Sequence, residues 1–428
     1  PATPFPITRF EFVSNSALSD EALQRAAARV VQLPATLTEA DLEQVRRALT
    51  DAYVDAGYIN SGAILPDQDL TDAAVRYILV EGHLSKVHVH GARRLRGPWL
   101  ERRILRQAPE PLQLDELADS LQRLRRNPNL ASLRADLQPR VANGNPVPGE
   151  SVLDVQVEES IPWNLDLHLD NQRPPSVGAE QLWLDAAHHN LTRRGDTLGV
   201  SWGLLERGNS DQTEASGADN IGITYSLPVT PSDTTLALHY DRRDYAVVEE
   251  PFQDLDIESR YWGAGIRLDH PLVRRRGNEL NASISFERRH SEGRLLGEPF
   301  SFTPGSVNGE SDVSVLRLAA NWLRRTTNQT VAASLTLSTG LDILDATGAP
   351  GGIGDGRFLA LLGQVAWARK AWSPEPGAPR QPFDAAEVLA RFTGQLTPDA
   401  LPAMEQLSLG GLSTVRGYRE NKLVRDTG

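Results

Sequence analysis

The chain contains no cysteine. A disulfide framework and a thiolate metal site are therefore excluded, and the absence is compatible with an oxidising compartment. Any run of roughly 18 or more apolar residues is also missing, so no transmembrane helix is expected. A transmembrane β-barrel stays open, because its alternating strands need no continuous apolar run. Nor is there an excess of positive charge: 56 acidic residues face 44 basic ones, a net charge of −12. That balance argues against a general nucleic-acid binder, which would show a basic footprint. No initiator Met and no basic-then-apolar leader precede Pro1, so the expectation is a chain processed or cut from a longer protein. At 428 residues the length suits two or three domains.

The character of what is present changes near residue 160. Before it, helical periodicity dominates and short strands punctuate. In the first unit ITRFEFVSN reads as a strand. Ser19 caps a helix whose first turn carries Asp20 and Glu21, where the helix dipole favours them. Thr38 opens a second helix with Asp41 three residues on, a variant of the capping box. Leu42, Val45, Leu49 and Tyr53 follow at helical spacing, and Gly57 stops the helix. YINSGAILP and AVRYILVEG then read as strands, which completes the order β-α-α-β-β. The second unit repeats that order. SKVHVHG is a strand, Pro98 fits a first helical turn, and Leu117, Leu121 and Leu124 lie on one side of a second helix that ends at Asn127-Pro128. ASLRADLQPR and SVLDVQVEE close it as strands. Two consecutive units of one element order form an internal structural repeat, with weak likeness residue by residue.

From residue 161 onward apolar residues recur at every second position. Leu165, Leu167 and Leu169 face one way, and Asn164, Asp166, His168 and Asp170 the other. Leu280, Ala282, Ile284 and Phe286 likewise oppose Asn281, Ser283, Ser285 and Glu287. Each strand therefore has one apolar and one polar face. Eleven such strands are expected, near 163–172, 180–192, 195–207, 219–229, 234–248, 255–273, 278–296, 311–326, 330–345, 357–372 and 386–398. Short connections (TRRGD, TPSD, RRRGN, TNQ) alternate with long ones, as at the two rims of an outer-membrane barrel. A soluble β-sandwich or propeller is the competing architecture. It predicts strands of about 5–6 residues with comparable turns at both ends.

Clusters that look like chemistry do not hold up. His188 and His189 are adjacent on a strand and point to opposite faces, so they cannot chelate together. GAPGGIGDG (348–356) lacks the Lys-Ser/Thr of a phosphate cradle, and DQDLTD lacks the glycine and terminal glutamate of a calcium loop. No catalytic site and no cofactor or metal site is expected.

The run LTEADLEQVRRALTDAYVDAGYINSGAILPDQDLTDAAVRYILVEGHLSKVHVHG resembles the first polypeptide-transport-associated (POTRA) domain of two-partner-secretion transporters, the hemolysin secretion/activation family. The second unit looks like their second POTRA domain. HNLTRRGDTL resembles a turn between early barrel strands, where a longer aliphatic-glycine version is usual. LSLGGLSTVRGY resembles the family's signature loop, with Val415, Arg416, Gly417 and Tyr418 standing as its VRGY tetrapeptide. The resemblance implies two α+β POTRA domains (5–84 and 85–160) and a partial antiparallel transmembrane β-barrel (161–428). About eleven of roughly sixteen strands are expected, an even total as such barrels require. The family's plug helix and linker are not in this sequence, and the physiological molecule is expected to extend beyond Gly428.

What the resemblance further implies is a pore in the Gram-negative outer membrane, with the POTRA domains in the periplasm and no enzymatic role. It exports, and activates, a large secreted partner protein such as a hemolysin or adhesin. An extended cargo chain can add a strand to a POTRA sheet edge. The signature loop folds back into the pore. There Gly417 makes a tight turn and Tyr418 packs its ring on the inner wall with its hydroxyl bonded. Arg416 needs a carboxylate partner; in the family that partner lies on a later strand, so none is expected within 161–400. Arg102, Arg103, Arg106, Arg123, Arg125 and Arg126 form a basic patch. They are either a solvated helix face or a contact for acidic cargo or lipid headgroups. Two alternatives remain, an insertase that assembles other barrels and a soluble β-rich binding protein. Two POTRA units favour secretion over the insertase, whose relatives usually carry three or more.

Overall fold

The computed structural model describes residues 4–171, 175–178, 180–205, 220–348, 354–372, 386–411, 414–415, 417–419 and 422–428. The chain forms two compact units, Pro1–Ser160 and Ile161–Gly428.

The first unit contains two layered α+β repeats. Its first repeat comprises β1 (Phe5–Ile7), β2 (Arg9–Val13), α1 (Asp20–Ala28), β3 (Ala35–Leu37), α2 (Glu39–Asp55), β4 (Gly62–Ile64) and β5 (Ala74–Val80). Both helix starts are fixed by side chains. Ser19 accepts from the Ala22 N–H, and Thr38 and Asp41 cap each other's backbone in a full capping box. The sheet runs β2-β5-β4, with β2 parallel and β4 antiparallel to β5. Leu42, Val45, Leu49 and Tyr53 of α2 bury against Val75, Tyr77 and Leu79 of β5. Each such aliphatic side chain contributes about 1.5–3 kcal/mol. The strand expected at YINSGAILP shrinks to three residues. Tyr58 to Ser61 instead form a turn, closed by Ser61 N–H to Tyr58 O, and the Ser61 hydroxyl accepts from the Gly82 N–H.

The second repeat comprises β6 (His83–His90), α3 (Gly97–Gln107), α4 (Leu114–Arg125), β7 (Leu130–Ala142) and β8 (Asn145–Glu159). Its sheet order β6-β8-β7, with β6 parallel and β7 antiparallel to β8, copies the first repeat. Several hydrogen bonds join the repeats. Leu114 N–H donates to Gly57 O, Leu112 N–H to Gly82 O, and the Asn60 amide to Ser151 Oγ. A Cβ on Gly82 would fall 2.2 Å from the Asn60 side chain, so a larger residue here would have to displace the Asn60 amide from the junction.

The repeats also share a residue-level device that the sequence did not reveal. Glu81 follows β5 and accepts the N–H groups of Ser16 and Ala17, together with the Tyr53 hydroxyl at 2.9 Å. Glu159 ends β8 and accepts the N–H groups of Arg93, Arg94 and Leu95. The separations are the same, 65 residues from Ser16 to Glu81 and 65 from Arg94 to Glu159. In each repeat one carboxylate closes the turn that leads from the first strand into the first helix, a turn whose N–H groups have no strand partner. Burial alone would raise both carboxyl pKa values, but the converging N–H donors outweigh it and hold them below the ordinary 4.5.

The second unit is an antiparallel meander. Its long strands are β9 (Trp163–Asp170), β10 (Gln181–His189), β11 (Thr197–Leu205), β12 (Asn220–Pro228), β13 (Thr235–Ala246), β14 (Glu258–Arg275) and β15 (Asn278–Leu295). After the two-residue β16 (Glu298–Pro299) come β17 (Glu310–Arg325), β18 (Gln329–Leu341), β19 (Leu359–Trp372) and β20 (Ala386–Leu396). The eleven long strands are those expected from periodicity, and each pairs with its sequence neighbours. Within the described residues the sheet is open, with β9 and β20 at its ends. Leu165, Leu167, Ile266, Ile284, Leu335 and Leu337 stand exposed on one face, while the opposite face carries the polar residues. A soluble sandwich would cover that apolar face with a second sheet; none covers it among the described residues. Short turns such as 276–277 alternate with long connections such as 296–309. No helix among the described residues is long and apolar enough to cross a membrane.

The two glutamates make stability pH-dependent. Their folded pKa values are depressed, so the stabilisation is present above about pH 4.5 and fades as pH falls through the lower folded values. Glu81→Gln and Glu159→Gln should each destabilise their repeat by about 1–2 kcal/mol at pH 7 and by less at acid pH. Hydrogen exchange of the 16–17 and 93–95 amides, followed from neutral to acid pH, measures this; equal protection in wild type and variants would contradict it.

Candidate functional site

The chain beyond β20 returns to the polar face of the sheet. It forms a 3₁₀ turn, Ala403–Glu405, and then the antiparallel pair β21 (Leu407–Leu409) and β22 (Leu423–Arg425). Leu401 is buried against Val313, Val315, Phe358 and Ala360, with Met404 beside them. Glu405 is the polar anchor. Its carboxylate lies 3.0 Å from Arg289 Nη1 and 2.8 Å from Arg317 Nη2, and its side chain is only 8 % exposed. Glu287 completes the cluster, 2.6 Å from Arg289 Nη2.

Strand geometry explains three of these four positions. Glu287 and Arg289 are two residues apart on β15 and so share a face. Register then places Arg317 of β17 opposite Ser285 of β15, beside them on that face. A buried carboxylate is stable only when paired and hydrogen-bonded, and two guanidiniums supply both. Gln395 adds a second tie, donating its amide to Glu405 O and Asp426 O and exchanging both backbone hydrogen bonds with Gly428. Asp426 accepts from the Leu401 N–H and the Gln406 amide. Further out, Arg419 reaches Glu249 in the β13–β14 connection at 3.3 Å.

The sequence-derived candidates fall on either side of this anchor. Val415 is 45 % exposed, and Gly417 adopts φ 91° in a turn, the left-handed region that favours glycine. Arg416 lies outside the described residues, so its partner is not seen. Among the described residues Tyr418 makes no wall contact. The residue is 62 % exposed, and its carbonyl accepts from the Gly411 N–H. The wall contact expected of that ring is made instead by Leu401 and Glu405, upstream of the tetrapeptide. Strand alternation could have flagged Glu287 and Arg289 as inward charges. Nothing local links them to Glu405, 116 residues from Arg289.

The six candidate arginines lie on two helices of the first unit, two of them mid-helix and four at helix ends. Arg102, Arg103 and Arg106 are on α3. Arg123 and Arg125 occupy the last turn of α4, and Arg126 is its C-cap, where cations complement the helix dipole. Arg103 stacks over the Trp99 ring at 5.0 Å, and Arg102 donates to Pro98 O. His188 and His189 sit on β10; His189 Nδ1 lies 3.2 Å from Thr197 Oγ1. Among the described residues no group of acidic, histidine or cysteine side chains could hold a metal ion.

Two repeats of POTRA topology, followed by an antiparallel meander with one apolar face and a loop clamped on the other, define the POTRA–β-barrel class of membrane protein. The chain belongs to the haemolysin secretion/activation protein family ShlB/FhaC/HecB, whose model matches residues 149–428, and a ShlB-type POTRA domain model matches residues 5–82. It is similar to outer membrane transporter CdiB-2 of Burkholderia pseudomallei strain 1026b, with 23 % identity over 90 % of this chain and 62 % of that protein. Outer membrane transporter CdiB of Escherichia coli is 25 % identical over 90 % of this chain and 61 % of its own length. The chain thus spans about three fifths of these relatives. The solved structure of CdiB from Escherichia coli superposes with a TM-score of 0.72 at 22 % identity, covering 100 % of this chain and 75 % of that one.

Removing the Glu405 carboxylate leaves two inward guanidiniums without it, a loss of about 3 kcal/mol or more. Glu405→Ala should therefore release the segment. Faster hydrogen exchange across 401–409, with exchange of β15 and β17 unchanged, is the expected result.

Proposed function

We propose that this protein is the outer-membrane pore of a two-partner secretion system, carrying a large secreted partner, in transit and unfolded, from the periplasm to the cell surface. The observation that carries the reading is the segment held on the polar face of the sheet by Glu405. A wall that grips its own loop through charge and a small apolar cluster is built for a plug that stays put until displaced. In this reading residues 5–84 and 85–160 are the two POTRA domains, 161–428 belong to the barrel, and the exposed apolar face meets outer-membrane lipid.

Capture begins in the first unit, where an extended segment of the partner adds as a strand to a POTRA sheet edge. Backbone pairing is nearly blind to sequence, so side chains beside the edge supply the selection. Val415, Arg416, Gly417 and Tyr418 form the tip of the pore loop, and Arg416 takes a carboxylate partner outside residues 161–400. The exposed arginines Arg102, Arg106, Arg125 and Arg126, with Arg103 and Arg123 behind them, offer a surface for acidic cargo or lipid phosphates. The role is transport rather than catalysis.

The test is deletion of residues 414–420 in the full-length protein, with export of the partner as the readout. Export should fall to background while the barrel still inserts and resists extraction from the membrane. Unchanged export with normal insertion would refute the role of the loop. A large secreted protein encoded beside this one is the genetic result the proposal expects.

A further inference from the structure

The sheet order of the first repeat leaves β4 as an edge strand, yet that edge is not open. Ala63, its central residue, turns both backbone groups away from β5. Its N–H donates to Thr50 Oγ1 at 3.1 Å, and its C=O accepts from Arg46 Nη1 at 3.1 Å. Both partners stand on α2. Arg46 is in turn gripped by Glu43, through Nε to Oε2 at 2.8 Å and Nη2 to Oε1 at 2.7 Å. The same bonding holds the Glu43 carboxyl down at about 2. Past the end of β4, the Gln68 carboxamide takes the place of a strand residue. It accepts from the Arg76 N–H at 2.8 Å and donates to Arg76 O at 3.0 Å. Side chains, rather than another strand, satisfy this edge.

Beside it lies a groove of about 800 Å³. Its wall carries Glu39, Glu43 and Asp67 with the cation Arg46, and Ile64 and Leu65 line it as well; a second cation, the more exposed Arg47, reaches Glu43 Oε1 at 3.4 Å, which leaves the acidic side chains in excess, three to two. That charge balance suits an extended chain that brings a cation of its own and apolar side chains at alternate positions. The Glu43–Arg46 pair is partly solvated, 40 % and 29 % exposed, so exchanging one cation for another on Glu43 costs little.

We propose that Glu43 and Arg46 form a latch on this edge. A Lys or Arg of an extended partner segment takes Glu43, Arg46 releases the Ala63 carbonyl, and the segment's backbone pairs with Ala63. The latch rests on the strand-addition capture proposed above and adds the selection rule that capture lacks: the edge opens to a basic, alternating segment and stays closed to others.

The experiment uses the intact protein in detergent and a fluorescein-labelled heptapeptide of alternating valine and lysine, read by anisotropy. Two control peptides carry glutamine in place of lysine, or N-methyl groups on alternate backbone nitrogens. The lysine peptide should bind about tenfold more tightly than the glutamine peptide, and N-methylation should abolish binding. Arg46→Met keeps the stem on the helix and removes the latch. It should tighten binding of the glutamine peptide about tenfold, while Glu43→Gln should erase the preference for lysine. Equal binding of the lysine and glutamine peptides by the native protein would overturn the latch, as would undiminished binding of the N-methylated peptide; neither result depends on a variant folding. Export of the partner, scored separately, decides the pore. Export that persists while the peptides show no preference removes the latch alone.

Discussion

Every N–H and C=O along a β-strand must find a partner, and this structure is arranged around where those partners come from. In the second unit they come from the next strand. Lipid offers a strand no hydrogen bonds, so the meander runs neighbour to neighbour from β9 to β20 with no crossover. In the first unit, surrounded by water, strands are few and side chains take over. Thr50 and Arg46 serve Ala63, Gln68 serves Arg76, and Glu81 and Glu159 gather the N–H groups that their turns leave over. One constraint thus produces a continuous sheet where water is excluded and a set of side-chain seals where it is not.

The seals differ in how readily they can open. Glu81 and Glu159 each gather several backbone donors on one carboxylate, and they recur at one spacing in both repeats. They are structural and tie each helix pair to its sheet. The Arg46 contact instead joins two partly exposed, charged groups, each able to take another partner. The inner wall shows the same division. Leu401 sits in an apolar cluster beside Phe358, whereas the grip on Glu405 is ionic and involves residues of two strands.

Legibility in the sequence follows the range of the interaction. Alternation showed the eleven long strands because one period governs each of them, and the caps at Ser19 and Thr38 were readable because donor and acceptor lie three residues apart. YINSGAILP is strand only over Gly62–Ile64, because Tyr58 and Ile59 belong to a turn held by Ser61 reaching Gly82 across 21 residues. The tetrapeptide drew attention to Arg416 and Tyr418, yet the described anchor is Glu405, whose partners on β15 and β17 are remote in the chain. The edge seals were hidden for the same reason. Gln68 reads as a loop residue until β5 is placed beside it.

The ion cluster on the polar face has a further consequence for whatever moves along that face. With Glu405 in place, two carboxylates and two guanidiniums balance, and the wall presents little field of its own. Withdraw the segment, and within this cluster Arg289 and Arg317 keep Glu287 as their shared carboxylate. Losing that one carboxylate takes this patch of the polar face from balanced to net positive, so whatever next lies against it meets a wall that attracts anions.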